Sequence, residues 1–237
     1  MKVKLAHLYP DKMNIYGDWG NIITIKKRLE WRGHEVDYQR VEVGDSYDFT
    51  DVDIVFGGGG QDKGQIEVAD DLQRHADNIH KAVSDGGVFL LVCGLYQLFG
   101  RRFTTSNGAE LPGIGVFEAE TFGSSDRLIG NVTIGTSWGN VVGFENHSGK
   151  TELSTSQSAL GRVIRGHGNN GKDGFEGAIV GNTFGTYLHG PLLPKNPIFC
   201  DQLLKRALTR RKANLTLDGL DDKIAFKAAE VAKNLPQ

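Results

Sequence analysis

The residues best suited to covalent chemistry end a single apolar run, Val88-Phe89-Leu90-Leu91-Val92-Cys93-Gly94-Leu95-Tyr96-Gln97-Leu98. A buried strand that stops at Cys93, turns at Gly94 and enters an apolar helix is a nucleophile elbow with a thiol in place of a hydroxyl. Such a turn exposes the side chain at the carboxyl edge of a sheet. The first amides of the helix that follows favour a thiolate and face a developing oxyanion. A lone cysteine is more often a small buried hydrophobe, and that alternative stands beside the catalytic one. A cysteine nucleophile also needs a base. Of the seven histidines, His7 ends a strand, His34 follows a helix stop, and His75 and His80 fall on or near the exposed side of a periodic helix. His189 differs: it closes the strand-like Phe184–Leu188 and precedes Gly190-Pro191, which prevents regular continuation. A histidine there can reach a cysteine at a neighbouring strand end.

Glycine accounts for 32 of 237 residues, roughly twice the usual ~7%, and the glycines gather in clusters. Gly57-Gly58-Gly59-Gly60-Gln61-Asp62 follows a third strand. It lacks the Gly-Lys-Ser/Thr of a Walker A loop and the spacing of a Rossmann fingerprint. A plain flexible loop is one reading; backbone amides facing an oxyanion is the other.

These residues need a parallel sheet to position them, and the first half of the chain has its pattern. Val3–Leu8 reads as a strand. Asp18 is placed to cap a helix with Ile22, Ile25 and Leu29 on one face, ended by Gly33. His34–Val43 and Val52–Phe56 read as strands. Ala69, Leu72, Ala76, Ile79 and Val83 recur at helical spacing before Gly86-Gly87, and Val88–Val92 is a strand buried on both faces. This alternation implies βαβ crossovers. From about Ile114 the strands follow without helices: Gly115–Thr121, Leu128–Ile134, Trp138–Phe144, Arg162–Arg165, Ala178–Val180 and Phe184–Leu188. They are expected to extend the same sheet as antiparallel strands. A helix from Pro197 to Arg211 and another carrying Ile224, Ala228, Val231 and Leu235 close the chain. The fold class is α/β, a three-layer domain with a mixed, mostly parallel sheet and flanking helices.

Composition narrows the function. With 27 Lys+Arg against 29 Asp+Glu the formal charge is −2, which does not suggest a nucleic-acid footprint. No apolar run approaches the ~20 residues of a membrane span, and the N-terminus lacks the features of a signal peptide, so a cytoplasmic location is expected. Two cysteines, Cys93 and Cys200, exclude a disulfide framework or a four-cysteine zinc site; Cys200 reads as packing, and no metal site is expected.

Gly57–Asp62, the Cys93 elbow, Gly143-Phe144-Glu145-Asn146-His147-Ser148-Gly149 and Tyr187-Leu188-His189-Gly190-Pro191 occur in the order seen in one family. The chain resembles the class I glutamine amidotransferases of the cobyric-acid-synthase-like branch, from Val3 to about Arg211. Thr186–Pro197 resembles, more narrowly, the small glutaminase subunits of the lipid II isoglutaminyl synthases. The resemblance implies an amidotransferase domain over residues 1–212 with a helical extension, 213–237, packed on it. It implies that Cys93 attacks the side-chain amide of L-glutamine and His189 moves the proton. Backbone N–H groups of Gly59 and Leu95 would hold the oxyanion, and Arg127, in Ser124-Ser125-Asp126-Arg127-Leu128, would grip the substrate α-carboxylate as a bidentate fork; an ordinary solvated arginine is the rival reading. His147 would support the Gly143–Gly149 turn.

Many class I relatives carry a glutamate two residues after the histidine; here that position is Pro191. Glu145 is the candidate for an orienting carboxylate within the chain. The chain is nevertheless expected to lack an acid beside His189 and to hydrolyse glutamine slowly alone, with a partner docked near Gly190–Pro197 supplying or positioning an Asp or Glu. The resemblance further implies that the chain itself binds no cofactor. ATP and magnesium would belong to a Mur-ligase-like synthetase, MurT, paired with it as a heterodimer and amidating D-glutamate of the lipid II stem peptide. The other readings are a subunit of a different cobyrinic-acid-type amidotransferase, a cysteine hydrolase, or a non-catalytic binding module on a similar sheet.

Overall fold

The computed structural model describes residues 1–60 and 62–235, so Gln61 of the glycine-rich loop lies outside the described residues. The chain begins β1 (Lys2–Leu8), α1 (Trp19–Glu30), β2 (Glu35–Val41), β3 (Ile54–Gly57), α2 (Asp62–Ser84), β4 (Val88–Val92) and α3 (Gly94–Leu98). It continues β5 (Arg102–Thr104), β6 (Glu110–Pro112), β7 (Ala119–Phe122), β8 (Leu128–Thr136), β9 (Gly139–His147), β10 (Lys150–Leu153) and β11 (Gly161–Arg165). It ends β12 (Phe175–Glu176), β13 (Ala178–Val180), β14 (Thr183–Thr186), α4 (Pro197–Arg211) and α5 (Lys223–Asn234).

Six strands form the central sheet in the order β13-β14-β4-β3-β1-β2. All its pairings are parallel except that of β13 with β14. Every residue of β3 and β4 is buried, as a sheet covered on both faces requires. The β1–α1–β2 unit runs toward one edge and β3–α2–β4 toward the other. With right-handed crossovers this sends α1 and α2 to opposite faces. The order reverses between β1 and β3, and in such sheets the crevice beyond the carboxyl ends of the strands is where ligands bind.

Of the helix-free stretch only β13 and β14 extend the central sheet, β13 antiparallel and β14 parallel. The other strands, together with β5 and β6, form two further four-stranded sheets, β10-β7-β5-β6 and β12-β11-β8-β9. The long β8–β9 hairpin pairs Leu128 through Thr136 with Gly139 through His147, and a local hairpin closes a far shorter loop than pairing to the distant sheet edge. One antiparallel bridge, Phe144 with His189, connects this sheet to the end of the central one. The short strands β5, β6, β10 and β12 have no clear sequence pattern because two to four residues are too few to show a period.

Two side chains depart from their sequence reading. His75 is buried, edge-on to Phe49 at 5.5 Å. Asp18 precedes α1 but makes no capping bond, being itself in helical conformation. The amphipathic α5 lies against β8 and β9 with no residue fully buried, and Asp222 at its start bonds Arg28 of α1, which also holds Asp201 of α4. No helix among the described residues is long and apolar enough to cross a membrane.

Phe199 of α4 is buried against Phe184 of β14, with ring centroids 5.7 Å apart. Phe199→Ala should lower unfolding stability by about 3–5 kcal/mol, read as a reduced urea midpoint with unchanged m. A loss below 1 kcal/mol would show that the α4 seam carries little of the core.

Candidate active site

Cys93 follows the last residue of β4 in a conformation few residues tolerate, φ 51° and ψ −103°. The strain of the elbow therefore sits on the cysteine, as it does on nucleophiles presented at a strand-to-helix turn. Gly94 is needed for a different reason than the turn. A Cβ there would lie 2.6 Å from Met13 Cε and 2.9 Å from Gln65 Nε2. Cys93 N–H donates to the carbonyl of Thr186 at 2.8 Å, which locks the elbow to the strand that leads into His189.

His189 is fully buried, and its backbone pairs with Phe144 through N–H···O bonds of 2.7 and 3.1 Å. Its side chain meets Cys93 across Gly59: a Cβ on Gly59 would stand 3.0 Å from His189 Cε1 and 3.1 Å from Cys93 Cβ. A side chain at Gly59 would crowd both of them. Tyr16, held at φ 55°, lies edge-on to the imidazole at 4.9 Å.

The carboxylate facing His189 is Asp18, not Glu145. Asp18 Oδ1 is 3.4 Å from His189 Nδ1, and its Oδ2 accepts Gly59 N–H at 2.9 Å. Glu145 is committed elsewhere. Its Oε1 accepts from His167 N–H at 2.7 Å and lies 2.8 Å from His167 Nδ1, while Oε2 accepts Gly168 N–H at 2.9 Å. Burial works against its ionisation, but the neighbouring His147 imidazole and hydrogen bonds from His167 and Gly168 hold the carboxyl below the ordinary range. The expectation that the chain itself lacks an acid beside His189 is therefore corrected. Asp18 lies 171 residues away in sequence and reads locally as a helix cap, so no spacing pattern could reveal it.

Burial alone would lower the His189 pKa, but the Asp18 carboxylate and the Cys93 sulfur raise it to about 10. A histidine pKa raised above its unfolded value of about 6.5 stabilises the fold fully below that pH. The contribution is lost as pH rises toward 10.

Neither amide expected to face an oxyanion is free in this state. Gly59 N–H is spent on Asp18, and Leu95 N–H points at the Gly58 carbonyl at 3.4 Å. The loop owes its glycines to crowding: a Cβ on Gly58 would come within 2.6 Å of Met13 O and 2.7 Å of Asp18 Oδ2.

A cleft of about 520 Å³ opens beside Cys93, lined among others by Tyr16, Gln65, Gln97, Arg127, Asn146 and His147. Arg127 is exposed at this cleft. Its Nε and Nη2 donate to Asn146 Oδ1 at 3.0 and 2.7 Å, fixing the guanidinium plane. Gln65 donates to Gln97 at 2.7 Å, and Gln97 to the Tyr187 hydroxyl at 3.0 Å. His147 stacks flat on Tyr187, with centroids 3.6 Å apart, and its Nδ1 bonds Gly149 O at 2.7 Å. It thus both supports the turn and lines the cleft. Gln65 and Gln97 had no signal in sequence that separated them from ordinary helix residues.

Two measurements test this geometry. Cys93 borders the cleft, whereas Cys200 is fully buried with its thiol pushed up to about 12 by burial. Iodoacetamide should therefore alkylate Cys93 in the native protein and spare Cys200, as peptide mass spectrometry would show; equal labelling would place Cys93 outside a formed cleft. In an NMR titration, His189 should lose its proton at lower pH in Asp18→Asn than in the wild type. An unmoved titration would mean that Asp18 does not face the imidazole.

Residues 4–197 match the CobB/CobQ-like glutamine amidotransferase domain family. Over 231 residues the chain is 36% identical to the lipid II isoglutaminyl synthase (glutamine-hydrolyzing) subunit GatD of Staphylococcus aureus, covering 97% of this chain and 94% of that one. Identity to the GatD subunit of Streptococcus pneumoniae is also 36%, covering 97% and 90%. A probable cobyric acid synthase of Methanothermobacter thermautotrophicus is 31% identical over 79% of this chain but only 39% of its own length. Among solved structures, PurLQS from Thermotoga maritima shares the fold with a TM-score of 0.61 at 17% identity, over 90% of this chain and 100% of that one. The chain belongs to the CobB/CobQ-like glutamine amidotransferases.

Proposed function

We propose that this chain is the glutaminase subunit of a lipid II isoglutaminyl synthase, with Cys93 as nucleophile and His189 as proton shuttle. With the thiol proton already held on His189 Nε2, as the raised pKa of that imidazole requires, the Cys93 sulfur attacks the side-chain carbonyl carbon of L-glutamine. The tetrahedral intermediate collapses, the C–N bond breaks, and His189 returns that proton to the leaving nitrogen, releasing ammonia and a γ-glutamyl thioester. Water then gives a proton to His189 and attacks the thioester, and glutamate and the free thiol are regenerated. Asp18 orients the imidazole through Nδ1 and balances its charge. The oxyanion takes the Leu95 amide, whose present bond to Gly58 is long and easily exchanged, together with Gly59. Arg127, its plane set by Asn146, grips the α-carboxylate of glutamine.

The observation that carries this reading is the approach of Cys93 and His189 across Gly59, in a chain belonging to a glutamine amidotransferase family. The acceptor reading rests on the two GatD relatives, matched along nearly their whole length. Amide formation from a carboxylate requires an activated acyl group, so a partner must bring ATP, magnesium and the lipid-linked acceptor; the resemblance to the lipid II isoglutaminyl synthases implies that it is a Mur-ligase-like synthetase, MurT. The second reading, a cobyrinic-acid-type system, is favoured only by relatives such as the archaeal cobyric acid synthase, of which the match spans 39%.

Cys93→Ala should abolish glutamate release from glutamine with the fold intact, and wild-type turnover in that variant would refute the mechanism. Arg127→Ala should raise KM for glutamine by one to two decades, the cost of about 1.5–3 kcal/mol for a lost charge-assisted contact, with kcat changed little. To test the acceptor, the complex copurified from the native cell should amidate lipid II in the presence of glutamine and ATP. A complex that amidates a corrinoid acid instead would select the second reading.

A further inference from the structure

Between Thr186 and His189 the backbone passes from one sheet to another. Thr186 is the last residue of β14 in register with β4, and its carbonyl accepts Cys93 N–H. His189 is already paired with Phe144 of β9. Tyr187 and Leu188, buried between these anchors, have no strand alongside to accept their amides, and a buried N–H without an acceptor is costly. The acceptor comes from Glu176 of β12, which is itself fully buried. Its Oε1 accepts Tyr187 N–H at 2.6 Å. The Thr186 hydroxyl lies 3.1 Å from each carboxyl oxygen and accepts Leu188 N–H at 3.1 Å.

We infer that Glu176 is a positioning residue of the glutaminase site: its carboxyl, relayed by the Thr186 hydroxyl, stands in for the missing strand along Thr186–Leu188 and so sets where the His189 imidazole meets Cys93 and Asp18. Glu176 is held from its own side as well. The next residue, Gly177, has its N–H bound to Asn169 Oδ1 at 2.9 Å and its carbonyl bound by Asn169 Nδ2 at 3.1 Å, so the carboxyl stands on an immobile support. Burial raises the Glu176 pKa to about 8 against the opposing pull of the Tyr187 amide and Thr186 hydroxyl. A glutamine side chain keeps the shape of the group and the oxygen that accepts Tyr187 N–H.

The inference rests on the Cys93–His189 reading above, and the test keeps the two apart. Glutamine turnover is measured for the full chain in its native complex, in variants checked for wild-type circular dichroism. Glu176→Ala is expected to lower kcat tenfold or more with KM for glutamine within threefold. Thr186→Val, which removes the relay while keeping the side-chain shape, should lower kcat at least fivefold. Glu176→Gln should restore kcat to within threefold of wild type. If Glu176→Ala does not fold, Thr186→Val and Glu176→Gln decide the matter. A folded Glu176→Ala or a Thr186→Val with wild-type kcat overturns the positioning role alone, as does a Gln variant as impaired as the Ala variant. A wild-type complex that releases no glutamate, or a Cys93→Ala complex that does, overturns the catalytic reading and this inference with it.

Discussion

The amide of Cys93 donates to the carbonyl of Thr186 at 2.8 Å, the bond immediately beyond the ladder between β4 and β14. Parallel strands end on the same edge, so once these two pair in register, a cysteine one residue past Val92 and a histidine three residues past Thr186 are delivered to one place. The intervening turn differs on each side. Cys93 reaches the edge by taking up a strained positive φ, whereas His189 reaches it by crossing to β9 and pairing with Phe144. The strand pairing thus brings together residues 96 positions apart, about the separation over which sequence periodicity carries no information.

Space at this edge is the second constraint. The loop after β3, the Met13–Asp18 segment and α3 converge where Gly58 and Gly94 leave no room for a Cβ and one on Gly59 would crowd His189 and Cys93. That closeness lets Asp18 be fully buried and still be paired, because Gly59 N–H and His189 Nδ1 both point at it. A buried carboxylate is tolerable only with such partners. The arrangement has a consequence for the proposed chemistry: the Gly59 amide cannot serve Asp18 and an oxyanion at full strength together.

Asp18 and Glu145 both sit close to histidines, and their surroundings separate their roles. Asp18 faces one imidazole, that of His189, at the cleft. Glu145 accepts two backbone amides and a His167 ring bond behind it, with His147 Nε2 at 3.8 Å, which suits a strut that fixes the β9 end and the His147–Tyr187 stack. Residue type alone did not distinguish them; the donors around each did.

Much was legible from the sequence: the βαβ alternation of the first half, the Cys93 elbow and the His189 strand end. These depend on local periodicity and on turn residues adjacent in the chain, and local rules govern them. The family resemblance rested on the same short motifs, which is why Arg127 could be named and is found at the cleft. What tertiary structure decided is of another kind. Most of the helix-free middle paired with itself, and only β13 and β14 joined the central sheet, since a nearby hairpin outcompetes a distant edge. Asp18, read as a cap, became the partner of His189, and Gln65 and Gln97 became the wall of the cleft. Each of those roles is set by a neighbour tens to more than a hundred residues away, and only packing determines which neighbour that is.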